Sequence, residues 1–202
     1  MDTGACIMRW RGHDREVTKI THIEYEPQTQ LLCQTSEDGC LRLWDRRNLS
    51  LICEFPFKAH ALVHCSICSS SMTCATSSAG SYDYGNEVSL WDLRERKLIK
   101  DFHGHEGNVR GSVFLHPQAE FTWKRYLLSV SDDHTARIWN INTGACVWTE
   151  TIPATLNACV AFPDGSVVIA GGNATLCDMR MQYRAGRPYL QCNTMQSNAI
   201  ET

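Results

Sequence analysis

Three short alternating runs of this chain each close on tryptophan followed by Asp or Asn: Leu41-Arg42-Leu43-Trp44-Asp45, Val88-Ser89-Leu90-Trp91-Asp92 and Ala136-Arg137-Ile138-Trp139-Asn140. A fourth run, Ala174-Thr175-Leu176-Cys177-Asp178, carries Cys where the others carry Trp. These landmarks at positions 44, 91, 139 and 177 lie 47, 48 and 38 residues apart. A second landmark keeps time with them. Gly12-His13, Ala59-His60 and Gly104-His105 precede the three tryptophans by 31, 31 and 34 residues. Two markers in phase define a structural repeat, and a repeat fixes the architecture before any local propensity is weighed.

Inside each unit the hydrophobic pattern has period two. Val17-Thr18-Lys19-Ile20-Thr21-His22-Ile23 mixes β-branched and apolar residues, and Leu41-Arg42-Leu43 alternates as a half-buried strand should. Turn chemistry separates the runs at Glu26-Pro27, Asp38-Gly39, His116-Pro117 and Pro163-Asp164-Gly165. No stretch sustains a 3.6-residue apolar stripe with helix caps. The chain is therefore all-β, in units of four strands.

With these landmarks the sequence resembles the WD-repeat β-propeller family, whose unit has this length and these Gly-His and Trp-Asp markers. The resemblance covers about residues 5 to 180 and implies a propeller with four recognisable four-stranded blades. The repeats fall at about 11–56, 57–102, 103–150 and 151–192 of a single propeller segment spanning 1–202, with 193–202 as a flexible tail. It also implies a structural hydrogen-bond tetrad in each unit, joining His, Ser or Thr, Asp and Trp. On that pattern unit one supplies His13, Ser36, Asp38 and Trp44, and unit three supplies His105, Ser131, Asp133 and Trp139. Unit two keeps His60 and Trp91 but has a lengthened turn at the Asp position, and unit four keeps neither His nor Trp. The chemistry makes sense without the family. A buried indole N–H needs an acceptor, and a hydroxyl can accept it while linking onward through imidazole to carboxylate. Such a Ser sits beneath the blade surface and is no nucleophile.

The ring reads as incomplete. Propellers close with four to eight blades and family members usually with about seven, and Gly4-Ala5-Cys6-Ile7-Met8-Arg9-Trp10 resembles the Gly144-Ala145-Cys146-Val147-Trp148 that follows a landmark. The expectation is a section of a longer ring with two exposed sheet faces.

Several function classes drop out. No phosphate loop, nucleophile elbow, His-Glu-x-x-His or paired-carboxylate arrangement appears, so no catalytic residue is assigned and no enzyme activity is expected. Cys65-Ser66-Ile67-Cys68 has the spacing of a zinc knuckle, but on a strand residues three apart point to opposite faces, so neither metal nor cofactor is expected. A formal charge of −3 disfavours nucleic acid. No run approaches the ~18 apolar residues a membrane helix needs, so no membrane insertion is expected. Eleven cysteines without a secretory signal read as reduced thiols in an intracellular protein, cytoplasmic or nuclear.

What remains is binding to other proteins. Two insertions carry aromatics where a minimal turn would suffice: Ser81–Asn86, with Tyr82 and Tyr84, and Phe121–Tyr126, with Trp123 and Arg125. Aromatic and Arg side chains are the usual interface anchors. By family topology the first loop lies on the top rim and the second on the bottom. The tetrapeptides Trp44-Asp45-Arg46-Arg47 and Trp91-Asp92-Leu93-Arg94 are similar to the Trp-Asp-x-Arg motif by which some propellers dock onto the adaptor of a cullin-4 ubiquitin ligase. That resemblance makes Arg47 and Arg94 candidate adaptor contacts. The expected function is a non-catalytic scaffold presenting propeller loops, with a ubiquitin-ligase substrate receptor as the alternative.

Overall fold

A computed structural model describes residues 12–22, 30–80, 84–116 and 126–195. Among these residues there are sixteen strands and no α-helix. The first sheet holds β1 (Val17–His22), β2 (Leu31–Ser36), β3 (Leu41–Asp45) and β4 (Ser50–Glu54). The second holds β5 (Ala61–Cys68), β6 (Thr73–Ala79), β7 (Val88–Asp92) and β8 (Lys97–Phe102). The third holds β9 (Val109–Leu115), β10 (Tyr126–Ser131), β11 (Thr135–Asn140) and β12 (Cys146–Thr151). The fourth holds β13 (Leu156–Ala161), β14 (Ser166–Gly171), β15 (Leu176–Arg184) and β16 (Arg187–Met195). Each sheet is an antiparallel meander in chain order.

The four sheets are blades. Their first strands stand next to one another in succession, β1 beside β5, β5 beside β9 and β9 beside β13, so each sheet radiates from a shared inner wall. Twist is built in at fixed places. The register slips between the two inner strands of every blade, and between the two outer strands directly before Trp44, Trp91 and Trp139. A bulge adds right-handed twist, which a radial leaf requires. Among the described residues the blades form an open arc, in which the first sheet packs on the second and the fourth on the third, with no comparable packing between the first and the fourth.

The core lies between blades. Trp91 and Trp139 are each 1% exposed, each against the preceding leaf. The edge of Phe55, the residue after β4, meets Trp91 at 5.6 Å and 69°, and Phe102, closing β8, meets Trp139 at 5.8 Å and 53°. Ile152, at the equivalent place after β12, shares a buried cluster with Cys177. A bulky residue leaving one blade thus covers the landmark of the next. Aromatic pairs of this geometry add about 0.5–1.5 kcal/mol beyond their burial.

Candidate functional site

The landmark residues build a buried network, and the third blade shows it whole. Trp139 Nε1–H donates to Ser129 Oγ at 2.8 Å, and Ser129 Oγ lies 2.7 Å from His105 Nε2. His105 Nδ1 lies 2.8 Å from Asp133 Oδ2, a carboxylate that also accepts the backbone N–H of Glu106 at 3.1 Å. One proton arrangement satisfies every atom: indole to hydroxyl, hydroxyl to Nε2, and Nδ1–H to carboxylate. Burial, the largest influence, holds the His105 imidazole below its ordinary pKa. Burial alone would raise the Asp133 carboxyl, but hydrogen bonds from Thr135 and His105 outweigh it and bring the pKa down to about 2. Asp133 is therefore an anion beside a neutral imidazole.

The serine of this network is Ser129 and not Ser131. Both point to one face of β10, but Trp139 pairs with Leu127, so its indole reaches the diagonal neighbour Ser129. Ser131 sits two residues further along, roughly 7 Å at strand rise. Ser131 Oγ instead donates to Gly107 O at 2.9 Å and accepts the Asp133 N–H at 3.1 Å, which fixes the turn. Ser36 in the first blade has the same turn role, accepting the Asp38 N–H at 3.2 Å. The residue matching Ser129 there is Gln34, ten before Trp44 and buried. His13 Nδ1 lies 2.8 Å from Asp38 Oδ2, and Arg42 contacts both, with its Nη1 3.0 Å from that oxygen. Burial would raise Asp38, yet its bonds from His13 and the Cys40 N–H hold it at about 2.

The second blade keeps half of the network. Trp91 Nε1–H donates to Thr76 Oγ1 at 2.8 Å. His60 packs its ring against Gly85, where a Cβ would come within 2.2 Å of the imidazole. An Asp cannot stand there. A different ion cluster ties this blade to the first. Lys58, on the strap between them, reaches Asp101 at 2.7 Å and Glu87 at 3.4 Å, and lies 5.9 Å above the Trp91 ring. His105, Ser129 and Asp133 of the third blade, His13 and Asp38 of the first, and Lys58, Glu87 and Asp101 at the second are all engaged by partners within the leaves or the straps between them.

The two thiols with knuckle spacing lie in different surroundings. Cys65 is buried against Thr35 Oγ1 at 3.7 Å, whereas Cys68, three residues on, contacts Ser70 Oγ on the rim. Among the described residues no three His, Cys, Asp or Glu side chains gather in a way that could hold a metal ion.

The rims are different in kind. Tyr84 is 75% exposed and Phe57 68% exposed, both on the rim that carries the His-Asp turns. Phe57 had no signal in the turn chemistry; an aromatic next to the strap Lys58 was its only trace in the sequence. It lines a cleft of about 420 Å³ between the first two blades, with Arg15, Glu37, Lys58 and His60. On the opposite rim Arg47 Nη2 is paired with Asp45 Oδ2 at 2.5 Å. Arg94 is exposed, with its backbone N–H bonded to Asp92 at 2.8 Å. Tyr82, Trp123 and Arg125 lie outside the described residues.

The profile of the family described as WD domain, G-beta repeat matches residues 4–45 and 96–140. The nuclear distribution protein nudF of Emericella nidulans is 49% identical over 55 residues, covering 27% of this chain and 11% of that protein. The nuclear distribution protein PAC1 of Arthroderma otae is 26% identical over 173 residues, covering 73% of this chain and 34% of that protein. The chain thus spans about a tenth to a third of the length of these relatives. The solved structure of the RRP9 WD40 repeats superposes with a TM-score of 0.71 at 18% identity, over 89% of this chain and 52% of that one. The WD40 propeller domain of Doa1 gives 0.65 at 19% identity, over 82% and 51%.

Proposed function

Because this chain belongs to the WD-repeat β-propeller family, we propose that it is a non-catalytic platform whose rims present loops to other proteins. The observation that carries the reading is a division of labour among side chains. The reactive-looking groups are spent internally, with His105, Ser129 and Asp133 under the Trp139 indole. The two most exposed aromatics among the described residues, Tyr84 and Phe57, sit on one rim. Rigid leaves hold the loop ends, and the loops offer anchors of the type that dominate protein interfaces. All ten cysteines among the described residues are free thiols, which supports a reducing, intracellular setting. Among the described residues no helix is long and apolar enough to cross a membrane.

The adaptor-docking alternative gains nothing from the relatives, and Arg47 is already engaged by its own Asp45. Tyr82, Trp123 and Arg125 stand as partner contacts on their sequence pattern alone. Affinity purification of the tagged chain from cells tests the platform reading. Specific proteins should co-purify and be lost from a Phe57→Ala, Tyr82→Ala, Tyr84→Ala variant, or from Trp123→Ala, Arg125→Ala, at unchanged melting temperature. Capture that survives both sets of substitutions removes these rims as the binding surface, and capture lost only on changing Arg47 and Arg94 would reinstate the adaptor.

A further inference from the structure

The longest hairpin of the molecule breaks the charge pattern of the rest. β15 and β16 have nine residues each and meet at Ala185-Gly186, whose φ angles of 50° and 74° make a tight two-residue turn. From residue 179 to residue 195 the chain carries Arg180, Arg184 and Arg187 and no acidic residue, within a sequence of net charge −3. Arg184 and Arg187 flank the turn, are exposed, and have no carboxylate partner among the described residues. They do not stand alone. With Val147 and Trp148 of β12 and with Pro188 and Tyr189 of β16 they line a cleft of about 290 Å³ between the outer edges of the third and fourth blades. Trp148 and Tyr189, both half-buried, line it.

We propose that this edge cleft docks an acidic peptide segment, with its carboxylates on Arg184 and Arg187 and an apolar side chain between Trp148 and Tyr189. This deepens the platform reading and rests on it. Guanidinium groups bind carboxylates in a bidentate fork, and the pair flanking one turn can take two acids of an extended segment. Aromatic walls beside arginine supply the apolar anchor that charge alone lacks. The cleft faces the third blade, so whatever packs on the free face of the fourth leaves it open. A nucleic acid fits less well, because a phosphate backbone draws affinity from many cations and this cleft offers two, Arg184 and Arg187.

The experiment is fluorescence anisotropy with the purified chain and two labelled peptides, one alternating Glu and Phe, the other alternating Lys and Phe. The Glu peptide should bind, weaken with added salt, and lose at least about tenfold in affinity to Arg184→Glu, Arg187→Glu. The Lys peptide should bind that charge-reversed variant better than the parent chain. Trp148→Ala should weaken the Glu peptide while leaving its salt dependence unchanged. Equal binding of the Glu peptide to parent and charge-reversed chains overturns the proposal. So does an oligothymidylate that binds more tightly than the peptide with the same arginine dependence, which would make the ligand a nucleic acid. If cellular partners are captured yet retained by the charge-reversed chain, the cleft fails and the platform reading stands.

Discussion

Ser129 and Ser131 are two residues apart on one face of one strand, and their roles diverge because only Ser129 is within reach of the Trp139 indole. Replacing Ser129 with Ala strands a buried indole donor and a His105 acceptor together, at a cost of about 1–3 kcal/mol. Ser131→Ala removes a turn bond and should cost roughly 1 kcal/mol. Thr76→Val, which deletes only the acceptor of Trp91, should resemble Ser129→Ala. Urea denaturation of the three variants checks the ranking; Ser131→Ala as the most damaging would restore it to the network. Titration gives a second residue-scale prediction. The His105 imidazole, desolvated in the fold, takes its proton below 6.5, whereas in the unfolded chain it does so near 6.5. His64 on β5, desolvated and facing the Lys19 charge, is held at about 4. The unfolded state therefore binds more protons as pH falls, so stability is full above pH 6.5 and declines below it. Asp133 and Asp38, at about 2 against 3.8, extend the loss below pH 4. The melting temperature should drop between pH 7 and 4.5, and His105→Gln or His64→Gln should flatten that drop while lowering the plateau. An unchanged slope in both variants would assign the acid response to other groups.

At the scale of elements, period-two alternation, turn residues and the Trp register were enough to read four-stranded leaves from the sequence. The network serine was misread for a physical reason. Strand alternation gives Ser129 and Ser131 the same face, and only the cross-strand register decides which one the indole meets. The lengthened turn hid Thr76 in the same way, since it lies fifteen rather than ten residues before its Trp. The strap positions Phe55, Phe102 and Ile152 escaped because covering the next blade is a contact between elements with no local signature. One turn makes a prediction at this scale. Five residues after the landmark Trp, the third blade has Gly144 at φ 82°, while the first two force Leu49 to 54° and Arg96 to 56°. A side chain in the left-handed region costs about 1–2 kcal/mol, and glycine returns roughly 0.5–1 kcal/mol of that as chain entropy. Arg96→Gly should therefore stabilise the chain by roughly 0.5–1 kcal/mol, read as a rise in melting temperature. A fall would mean that the Arg96 side chain does more than close a turn.

At the scale of the molecule, one position shows what the open arc leaves uncovered. The residue before each landmark is Leu43, Leu90, Ile138 and Leu176, and its exposure runs 3%, 1%, 0% and then 58%. The first three are buried beneath the next leaf. Leu176 occupies the same place on a face that no leaf covers among the described residues, and Val160, on that face two strands away in β13, is 43% exposed. At Leu176 the fourth blade thus turns to water an apolar position that the other three blades bury. Such a surface drives association. The isolated chain should self-associate with rising concentration in sedimentation experiments. Leu176→Glu with Val160→Lys should shift it toward monomer without lowering its melting temperature, because neither side chain contributes to a buried cluster. If the parent chain stays monomeric at high concentration, the fourth blade has no vacant docking face, and the resemblance of Leu176 to its three buried counterparts is one of sequence position alone.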